Sequence, residues 1–298
     1  MGKASALTEE MAHRVLVAIC ERAGLDPAAA ELVRIGSNAV YRLVKPVIVR
    51  ISSERDAAGN ASEQVAVARW LAGENYPATR ALDLEQPIVA EGYVATLWES
   101  ASEREEYAPV AQVAELIKRL HELDAPASLD LPEYDPFGKL DAQLGNLDNL
   151  DQADADFLRE RIDDLRARYD TLEFVLKPGA IHGDANVGNV ILDRDGNPLL
   201  IDLDSFAVGP REWDLVQTAL FYERFGWHTE DEYRDFVRVY GWDIMTWPGY
   251  KVLADYREIS MTLWLSRKAG TDEGAAAEVR KRVAAIKNGG DRRDWAPF

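Results

Sequence analysis

The pattern of apolar and polar residues divides the chain into a strand-rich part and a helical part. Before residue 100, short apolar runs bounded by Gly, Pro and Asn predict strands, and apolar residues at helical spacing predict two helices. The predicted strands are 31–35, 39–44, 46–51, 80–84 and 93–97, and the predicted helices are 8–24 and 57–71. Beyond residue 107 the helical period dominates. The pattern therefore predicts an α+β chain whose strands lie mainly in its first third.

The helical part is predicted as a series of amphipathic segments broken by one long loop. The predicted helices are 110–124, 151–175, 211–225, 231–240, 250–268 and 272–288. Residues 125–150 are rich in Pro, Gly, Asp and Asn, which favours a loop or insertion.

Two short apolar runs, 190–192 and 199–201, interrupt the helical part. Asp195-Gly196-Asn197 between them is a strong signal for a hairpin turn. A tight hairpin brings its outer ends together, so Asn189 and Asp202 are predicted to lie side by side. Both side chains carry oxygen atoms, the ligands that Mg²⁺ prefers.

A histidine–aspartate motif precedes this hairpin. His182-Gly183-Asp184 is followed after four residues by Asn189, and Asp202 ends the second apolar run. This H-x-D-x-x-x-x-N spacing, with an aspartate at a strand end, is typical of a kinase catalytic loop and its metal site. On that interpretation Asp184 faces an acceptor hydroxyl, while Asn189 and Asp202 hold magnesium. The alternative is a set of capping and turn residues on an ordinary hairpin.

The segments HGDANVGN and LIDLDSFAVGPREWDL resemble the aminoglycoside phosphotransferase and choline kinase group. These are small-molecule kinases, and the resemblance implies a bilobal protein-kinase-like fold. It implies an N-terminal antiparallel sheet lobe at 1–99 and a larger, mostly helical C-terminal lobe at 100–298. It also implies that Asp184 is the catalytic base, with His182 holding the loop, and that Asp214 braces the loop from a following helix.

The same resemblance implies a binding site for ATP or GTP in the first lobe. Arg50 matches the strand cation that contacts the phosphates, and Glu63 matches the helix glutamate that pairs with it. Ser37 and Asn38, in a short polar loop, would offer groups to the phosphates. Trp98 would line the adenine pocket. The alternatives are an isolated turn, a solvent-facing arginine, an exposed helix glutamate and a tryptophan used only for packing.

Two departures from protein kinases favour a small acceptor. Gly183 stands where protein kinases carry the arginine that reads a phosphorylated activation loop. Only eleven residues separate Asp202 from Asp214, which leaves little room for a peptide-docking segment. Candidate acceptor-binding residues in the helical part are Asp204, Glu212 and Trp213, with Glu223, Trp227, Trp242, Trp247 and Trp264 as further acids and aromatics.

Composition limits the partners. The 298 residues are 47% hydrophobic and 29% charged, with a formal net charge of −18, which argues against nucleic acid and anionic membranes as partners. Cys20 is the only cysteine, and the first ten residues lack the apolar core of a signal peptide. The single cysteine suits a reducing compartment, so we expect a cytoplasmic protein. The acidity would suit a cationic substrate, and solubility is the alternative explanation. The partners that the resemblance implies are a nucleoside triphosphate and a small hydroxylated substrate.

Three functions are compatible with these residues. The first is a Mg²⁺- and ATP- or GTP-dependent kinase for a hydroxyl of a small molecule. Aminoglycoside-like or amino-sugar acceptors come first, and choline-like amino alcohols, homoserine and other antibiotics follow. The second is a non-catalytic nucleotide-binding protein with a kinase fold. The third is a metal-dependent hydrolase that uses His182, Asp184, Asp202 and Asp204, and it would need further His ligands. His13, His121 and His228 lie far from the motif without ligand spacing, and His121 is expected to be structural.

Overall fold

The structure is a computed structural model that describes residues 7–36, 38–52, 58–102, 106–144 and 150–297. It separates into two compact units, and neither is a continuous stretch of chain. Unit 1 comprises residues 1–108, 125–131 and 188–206, and unit 2 comprises 109–124, 132–187 and 207–298. The division into functional lobes at residue 99 stays a prediction. Within the described ranges, no helix has both the length and the apolar character that a membrane span requires.

The strands are short, and they are named here in chain order. They are β1 Glu31–Ile35, β2 Asn38–Arg42, β3 Val47–Ser52, β4 Ile88–Ala90, β5 Tyr93–Glu99, β6 Gly179–Ile181, β7 Val190–Leu192, β8 Pro198–Leu200 and β9 Ala207–Gly209. The helices are α1 Glu9–Ala23, α2 Ala58–Gly73, α3 Val110–Glu122, α4 Pro136–Leu144, α5 Gln152–Tyr169, α6 Trp213–Leu220, α7 Glu230–Tyr240, α8 Tyr250–Ser266 and α9 Glu273–Asn288.

Unit 1 is built on an antiparallel five-stranded sheet in the order β1-β2-β3-β5-β4. Helix α1 begins at its Thr8 cap, whose hydroxyl accepts from the Met11 N–H at 3.3 Å, and ends at Gly24 with φ of 65°. Its apolar face, including Leu16 and Ile19, packs against the sheet in one buried cluster. This core fixes β3 and β5 in the middle of the sheet.

The predicted hairpin is confirmed and belongs to unit 1. Strands β7 and β8 pair antiparallel, with Val190 opposite Leu200. The Asp193 carboxylate closes the turn by accepting from the main-chain N–H groups of Asp195 and Asn197 at 2.9 and 2.8 Å. These bonds lower the pKa of Asp193, with the bond from Asn197 as the main cause.

Unit 2 is mostly helical. Helices α3 and α7 pack together, and α8 lies against α4, α5, α6 and α9. A two-stranded antiparallel ladder of β6 and β9 joins these helices to the segment that precedes α6. The end of β6 therefore leads directly into the His182–Asp184 motif.

The predictions for strand 80–84 and for the loop 125–150 are wrong. Residues near 80 form one β-bridge with β5, between Ala81 and Trp98. The pairing does not continue, because the Leu97 N–H donates to Gln86 Oε1 at 2.8 Å instead of to a main-chain carbonyl. The fourth strand is β4, which joins β5 through a tight turn. The predicted loop contains α4, which starts with a proline after Asp135, whose carboxylate accepts from two N–H groups of the first turn.

Candidate functional site

A cavity of about 300 Å³ lies within unit 1. Its walls come from the sheet, from the segment after β5 and from the β7–β8 hairpin. The lining residues are Val33, Arg34, Val40, Arg42, Ile48, Arg50, Gln64, Thr79, Trp98, Glu99, Ser100, Ala101, Ser102, Tyr107, Gly188, Asn189, Ile191, Ile201, Asp202 and Leu203. Four of the predicted site residues, Arg50, Trp98, Asn189 and Asp202, are therefore brought to one cavity.

Arg50 lies in the middle of β3, opposite Val40 of β2 and Thr96 of β5. Its Nη1 donates to Asp202 Oδ1 at 2.9 Å, and its Nη2 donates to Asp204 Oδ2 at 3.2 Å. The Arg50 side chain is only 18% exposed. The guanidinium is thus held in the cavity wall by two carboxylates that follow the β7–β8 hairpin.

Asp202 and Asn189 lie at the open end of the hairpin, as the turn signal predicts. The main-chain N–H of Ile201 donates to the Asn189 carbonyl at 2.9 Å, which extends the β7–β8 pairing by one position. Asp202 follows with φ of 60°, a left-handed conformation that turns the chain away from the strand. The backbone therefore places an amide oxygen and a carboxylate side by side.

This pair of side chains fits Mg²⁺ better than it fits a soft metal. Magnesium is usually held by one or two carboxylates together with substrate phosphates, rather than by a complete protein cage. Asn189 and Asp202 supply two hard oxygen donors, and phosphate oxygens and water would complete the set. Among the described residues, no group of three or more His, Cys, Asp and Glu side chains is arranged to hold a metal. The hydrolase alternative needs such a group.

The expected ion pair between Arg50 and Glu63 is absent, so that pairing prediction is wrong. Glu63 and Asn60 on α2 are both exposed, whereas Gln64 is buried. Gln64 is buried, lines the cavity and donates to the Asn60 side chain. Asn60 Nδ2 in turn donates to the Asp204 carbonyl at 3.3 Å. Asp202 and Asp204 take the place expected of the helix glutamate.

The remaining predicted nucleotide residues have different positions. Asn38 opens β2, and its carbonyl accepts from the Gly36 N–H at 3.0 Å across the β1–β2 turn. Ser37 lies outside the described residues. Trp98 is 7% exposed, and its Nε1 donates to Thr96 Oγ1 at 2.9 Å, so its ring is fixed in the cavity wall.

The His182–Asp184 motif lies in unit 2, immediately after β6. Gly183 has φ of 81°, a conformation that glycine adopts without a steric penalty. The fully buried Asp214 accepts at Oδ2 from the His182 N–H at 2.7 Å and at Oδ1 from the Gly183 N–H at 2.9 Å. These are the contacts that a bracing residue on α6 requires.

The pKa of the buried Asp214 carboxyl is lowered by neighbouring histidines. Burial alone would raise the pKa of Asp214, but the hydrogen bond and charge of His121, aided by His182, hold that pKa below its usual value. His121 Nε2 lies 3.2 Å from Asp214 Oδ2, and His121 Nδ1 lies 2.9 Å from the Tyr240 hydroxyl. His121 therefore has the structural position that its helical spacing predicts.

The His182 side chain contacts the main chain of Asp184. His182 is fully buried, and its Nδ1 accepts from the Asp184 N–H at 3.3 Å. The Asp184 side chain is 43% exposed, and its Oδ1 accepts from Arg257 Nη1 at 3.2 Å. Sequence reasoning missed Arg257, which lies 73 positions away on α8 and belongs to no recognisable motif. No local pattern could have identified it.

Two of the predicted acceptor-binding residues are buried, which corrects those predictions. Trp213 has no exposed surface, and its Nε1 donates to the Gly183 carbonyl at 3.0 Å. Glu212 also has no exposed surface, and its Oε1 accepts from the main-chain N–H groups of Val175 and Leu176 at 2.7 and 2.8 Å. Both side chains hold loops in place and present no surface to a substrate.

Two further tryptophan candidates donate hydrogen bonds to main-chain carbonyls, whereas Glu223 and Trp264 keep exposed surface. Trp227 Nε1 donates to the Trp295 carbonyl at 3.1 Å, and Trp247 Nε1 donates to the Glu173 carbonyl at 3.1 Å. Glu223 accepts from the Tyr250 hydroxyl at 2.7 Å. Asp204, the third acceptor candidate, lies in unit 1 beside Arg50.

Comparison with known proteins gives a family match over most of the chain. Residues 30–256 match the family model of the phosphotransferase enzyme family. A probable ketoamine kinase of Lactiplantibacillus plantarum is 48% identical over 46 residues, a match that spans 15% of this chain and 16% of that relative.

Solved structures resemble the chain over most of its length. The structure of an amicoumacin kinase in complex with AMP-PNP, Ca²⁺ and Ami aligns with a TM-score of 0.74 at 14% identity, covering 97% of this chain and 98% of that one. A choline/ethanolamine kinase family protein from Mesorhizobium loti aligns with a TM-score of 0.60 at 19% identity, covering 94% of both chains. At these identities the likeness is one of fold.

The fold and the H-G-D motif together define a phosphotransferase with a kinase-like α+β fold, as the sequence predicts. The chain belongs to the phosphotransferase enzyme family, since that family's model matches most of its length. The resemblance to aminoglycoside phosphotransferases and choline kinases is thereby confirmed.

Proposed function

We propose that the chain is an ATP- or GTP- and Mg²⁺-dependent O-phosphotransferase that phosphorylates a hydroxyl of a small, amine-bearing molecule. The observation that carries this proposal is the arrangement at the H-G-D motif. The main-chain N–H groups of His182 and Gly183 are held by the Asp214 carboxylate, whereas the Asp184 side chain is 43% exposed. A rigid loop with one accessible carboxylate is what a base for an acceptor hydroxyl needs.

Asp184 has two tasks in this reaction. Its carboxylate accepts a hydrogen bond from the acceptor hydroxyl and so directs the oxygen for in-line attack on the terminal phosphorus atom. As the new P–O bond forms and the bond to the leaving nucleoside diphosphate breaks, the hydroxyl proton passes to Asp184. His182, buried and bound to the Asp184 N–H, holds the loop and takes no part in proton transfer.

The donor nucleotide is assigned to the cavity of unit 1. Arg50 is in the cavity wall and can grip two phosphate oxygens through its planar guanidinium. Asn189 and Asp202 would hold Mg²⁺; a carboxylate has enough lone pairs to accept from Arg50 and still ligate a metal. When bound, the ion neutralises charge that develops on the phosphate oxygens.

The acceptor class rests on chemistry and on the relatives. Choline, ethanolamine and ketoamines, the compounds in the relatives' names, all carry nitrogen beside a hydroxyl. The net charge of −18 favours a cationic substrate over an anionic one. We place sugar-derived amines first, including aminoglycosides and ketoamines, and amino alcohols such as choline second. A cytoplasmic location follows from the need for a nucleoside triphosphate.

The test is a two-way panel of nucleotides and acceptors. Release of ADP or GDP is measured with Mg²⁺ for the full chain, with aminoglycosides, ketoamines, amino alcohols and homoserine, and without acceptor. We expect release that requires both Mg²⁺ and an amine-bearing acceptor. Tight nucleotide binding with no acceptor-dependent release across the whole panel would favour the non-catalytic alternative instead.

A further inference from the structure

Arg257 on α8 makes three contacts within unit 2, two with the H-G-D loop and one with Trp213 on α6. Its Nη1 donates to Asp184 Oδ1 at 3.2 Å, and its Nη2 donates to the Gly183 carbonyl at 3.0 Å. Its guanidinium carbon lies 4.6 Å from the ring centroid of Trp213. Trp213 Nε1 donates to the same Gly183 carbonyl at 3.0 Å. One carbonyl, one carboxylate and one indole face therefore fix the guanidinium.

The position is a costly one for a charged side chain. Arg257 is 8% exposed, and a buried cation needs a compensating carboxylate and hydrogen bonds. Asp184 is the carboxylate that it contacts in unit 2. Packing alone would be served by an apolar residue at this point of α8, so the contact with Asp184 needs another explanation.

The contact can fix the direction of the Asp184 carboxylate. The planar guanidinium binds the side chain of Asp184 and the main chain of the preceding residue at the same time, which defines the carboxylate relative to its own loop. The indole face of Trp213 keeps the guanidinium in that plane. Arg257 thus contacts the side chain of the proposed base, whereas Asp214 holds the backbone of the same loop.

We propose that Arg257 is a positioning residue that orients the Asp184 carboxylate towards the acceptor hydroxyl. This inference rests on the proposed function, because orientation matters only if Asp184 acts on an acceptor. A misplacement of about 1 Å at a reacting group can cost about 10²-fold in rate. Removal of the guanidinium should therefore act on the chemical step and leave nucleotide capture intact.

A matched control exists on α9. Arg282 is 2% exposed, its Nε donates to Glu278 Oε1 at 2.9 Å, and its Nη2 donates to the Ala296 carbonyl at 2.6 Å. Its guanidinium carbon lies 5.0 Å from the Trp295 ring centroid. The same carboxylate, carbonyl and indole contacts thus occur around a carboxylate that has no assigned part in catalysis.

The experiment compares Arg257→Met, Arg257→Lys and Arg282→Met with the parent, using the acceptor that the panel identifies. We expect Arg257→Met to lower kcat about 10²-fold with an unchanged KM for the nucleotide. Arg257→Lys should restore part of that loss, since lysine keeps the charge but loses the planar double contact. Arg282→Met should lower the melting temperature and leave kcat of the folded enzyme unchanged. A kcat loss in Arg257→Met no larger than in Arg282→Met would overturn the proposal.

A second measurement does not depend on turnover. Urea unfolding of Arg257→Met, Asp184→Asn and the double variant should give non-additive changes, because the two side chains are in contact. Additive changes would show that Arg257 does not hold Asp184, and the proposal would fail whatever the activity. A parent protein without acceptor-dependent turnover contradicts the proposed function itself, and the unfolding data still decide whether the contact holds the carboxylate.

Discussion

The guanidinium of Arg50 lies 2.9 Å from the Asp202 carboxylate, although 152 positions separate the two residues in the sequence. The pair joins the proposed phosphate-binding cation to the proposed metal ligand in the wall of one cavity. Both side chains retain exposed surface, 18% for Arg50 and 34% for Asp202. Arg50 and Asp202 therefore hold each other in place, and both side chains stay accessible to a nucleotide.

Arg50→Ala should weaken nucleotide binding. Loss of a charge-assisted double contact to phosphate is worth roughly 1.5–3 kcal/mol, which is on the order of 10- to 100-fold in Kd. Arg50→Lys should recover part of the loss through charge alone. Isothermal titration with AMP-PNP and Mg²⁺ measures both. Arg69→Ala, an exposed arginine on α2, is the control, and equal affinities in all four proteins would exclude Arg50 from the phosphate site.

Asp202→Ala should remove the effect of Mg²⁺ on nucleotide binding. In the parent we expect tighter binding of AMP-PNP with Mg²⁺ than without it, because carboxylate and phosphate oxygens share the ion. In Asp202→Ala the two affinities should become equal. Asp193→Ala, in the turn at the opposite end of the same hairpin, should keep the difference. A full Mg²⁺ effect in Asp202→Ala would contradict its assignment as a ligand.

Local signals predicted the hairpin well. Asp195, Gly196 and Asn197 predict a turn within a few residues, and a short turn sets the register of the two strands. The proximity of Asn189 and Asp202 therefore follows from nearby sequence. The caps of α1 were also predictable from the sequence, because Thr8 and Gly24 each bond to residues within one helical turn. The family resemblance likewise predicted that Asp214 contacts the loop that carries Asp184.

Contacts between distant elements could not be predicted. The sequence around Glu63 does not show that Gln64, and not Glu63, lines the cavity. Which face of a helix is buried depends on the elements that pack against it, and these are distant in sequence. Trp213 and Glu212 have the chemistry of a binding site, but the α6 start is buried beneath the loop. Arg257 contacts Asp184 only because α8 packs near the loop. Pro136 alone predicts the end of a helix, but in the structure it starts α4, whose first turn is capped by Asp135.

Asp214→Asn should lower both the free energy of unfolding and kcat. An asparagine presents one oxygen and one NH₂ group to two main-chain N–H donors and leaves His121 without its carboxylate. Breaking such a buried charged contact costs on the order of 2–4 kcal/mol. Urea unfolding gives the change. Asp235→Asn removes an exposed ion pair with Arg238 and should change the free energy of unfolding little. Equal effects of the two substitutions would argue against the bracing role.

His228 should make stability depend on pH. Burial lowers its pKa below 6.5, with the charge of Glu232 opposing the shift, so the folded state binds the proton less readily than the unfolded state. Between the folded-state pKa and 6.5 the unfolded chain therefore holds more protons, and the free energy of unfolding rises with pH. Unfolding in urea at about pH 5.5 and about pH 7.5 should show a smaller pH difference for His228→Gln than for the parent. An identical pH difference would show that His228 titrates alike in both states.

The most direct test of the central claim is turnover of Asp184→Asn, measured with nucleotide affinity on the same samples. The substitution keeps the size of the side chain and removes the carboxylate that accepts the proton. We predict a loss of kcat on the order of 10²–10⁴-fold, the range for a positioned general base. The affinity for AMP-PNP with Mg²⁺ should stay at the parental value. Near-parental turnover in Asp184→Asn would contradict the assignment of Asp184 as the base, and with it the mechanism proposed for this phosphotransferase.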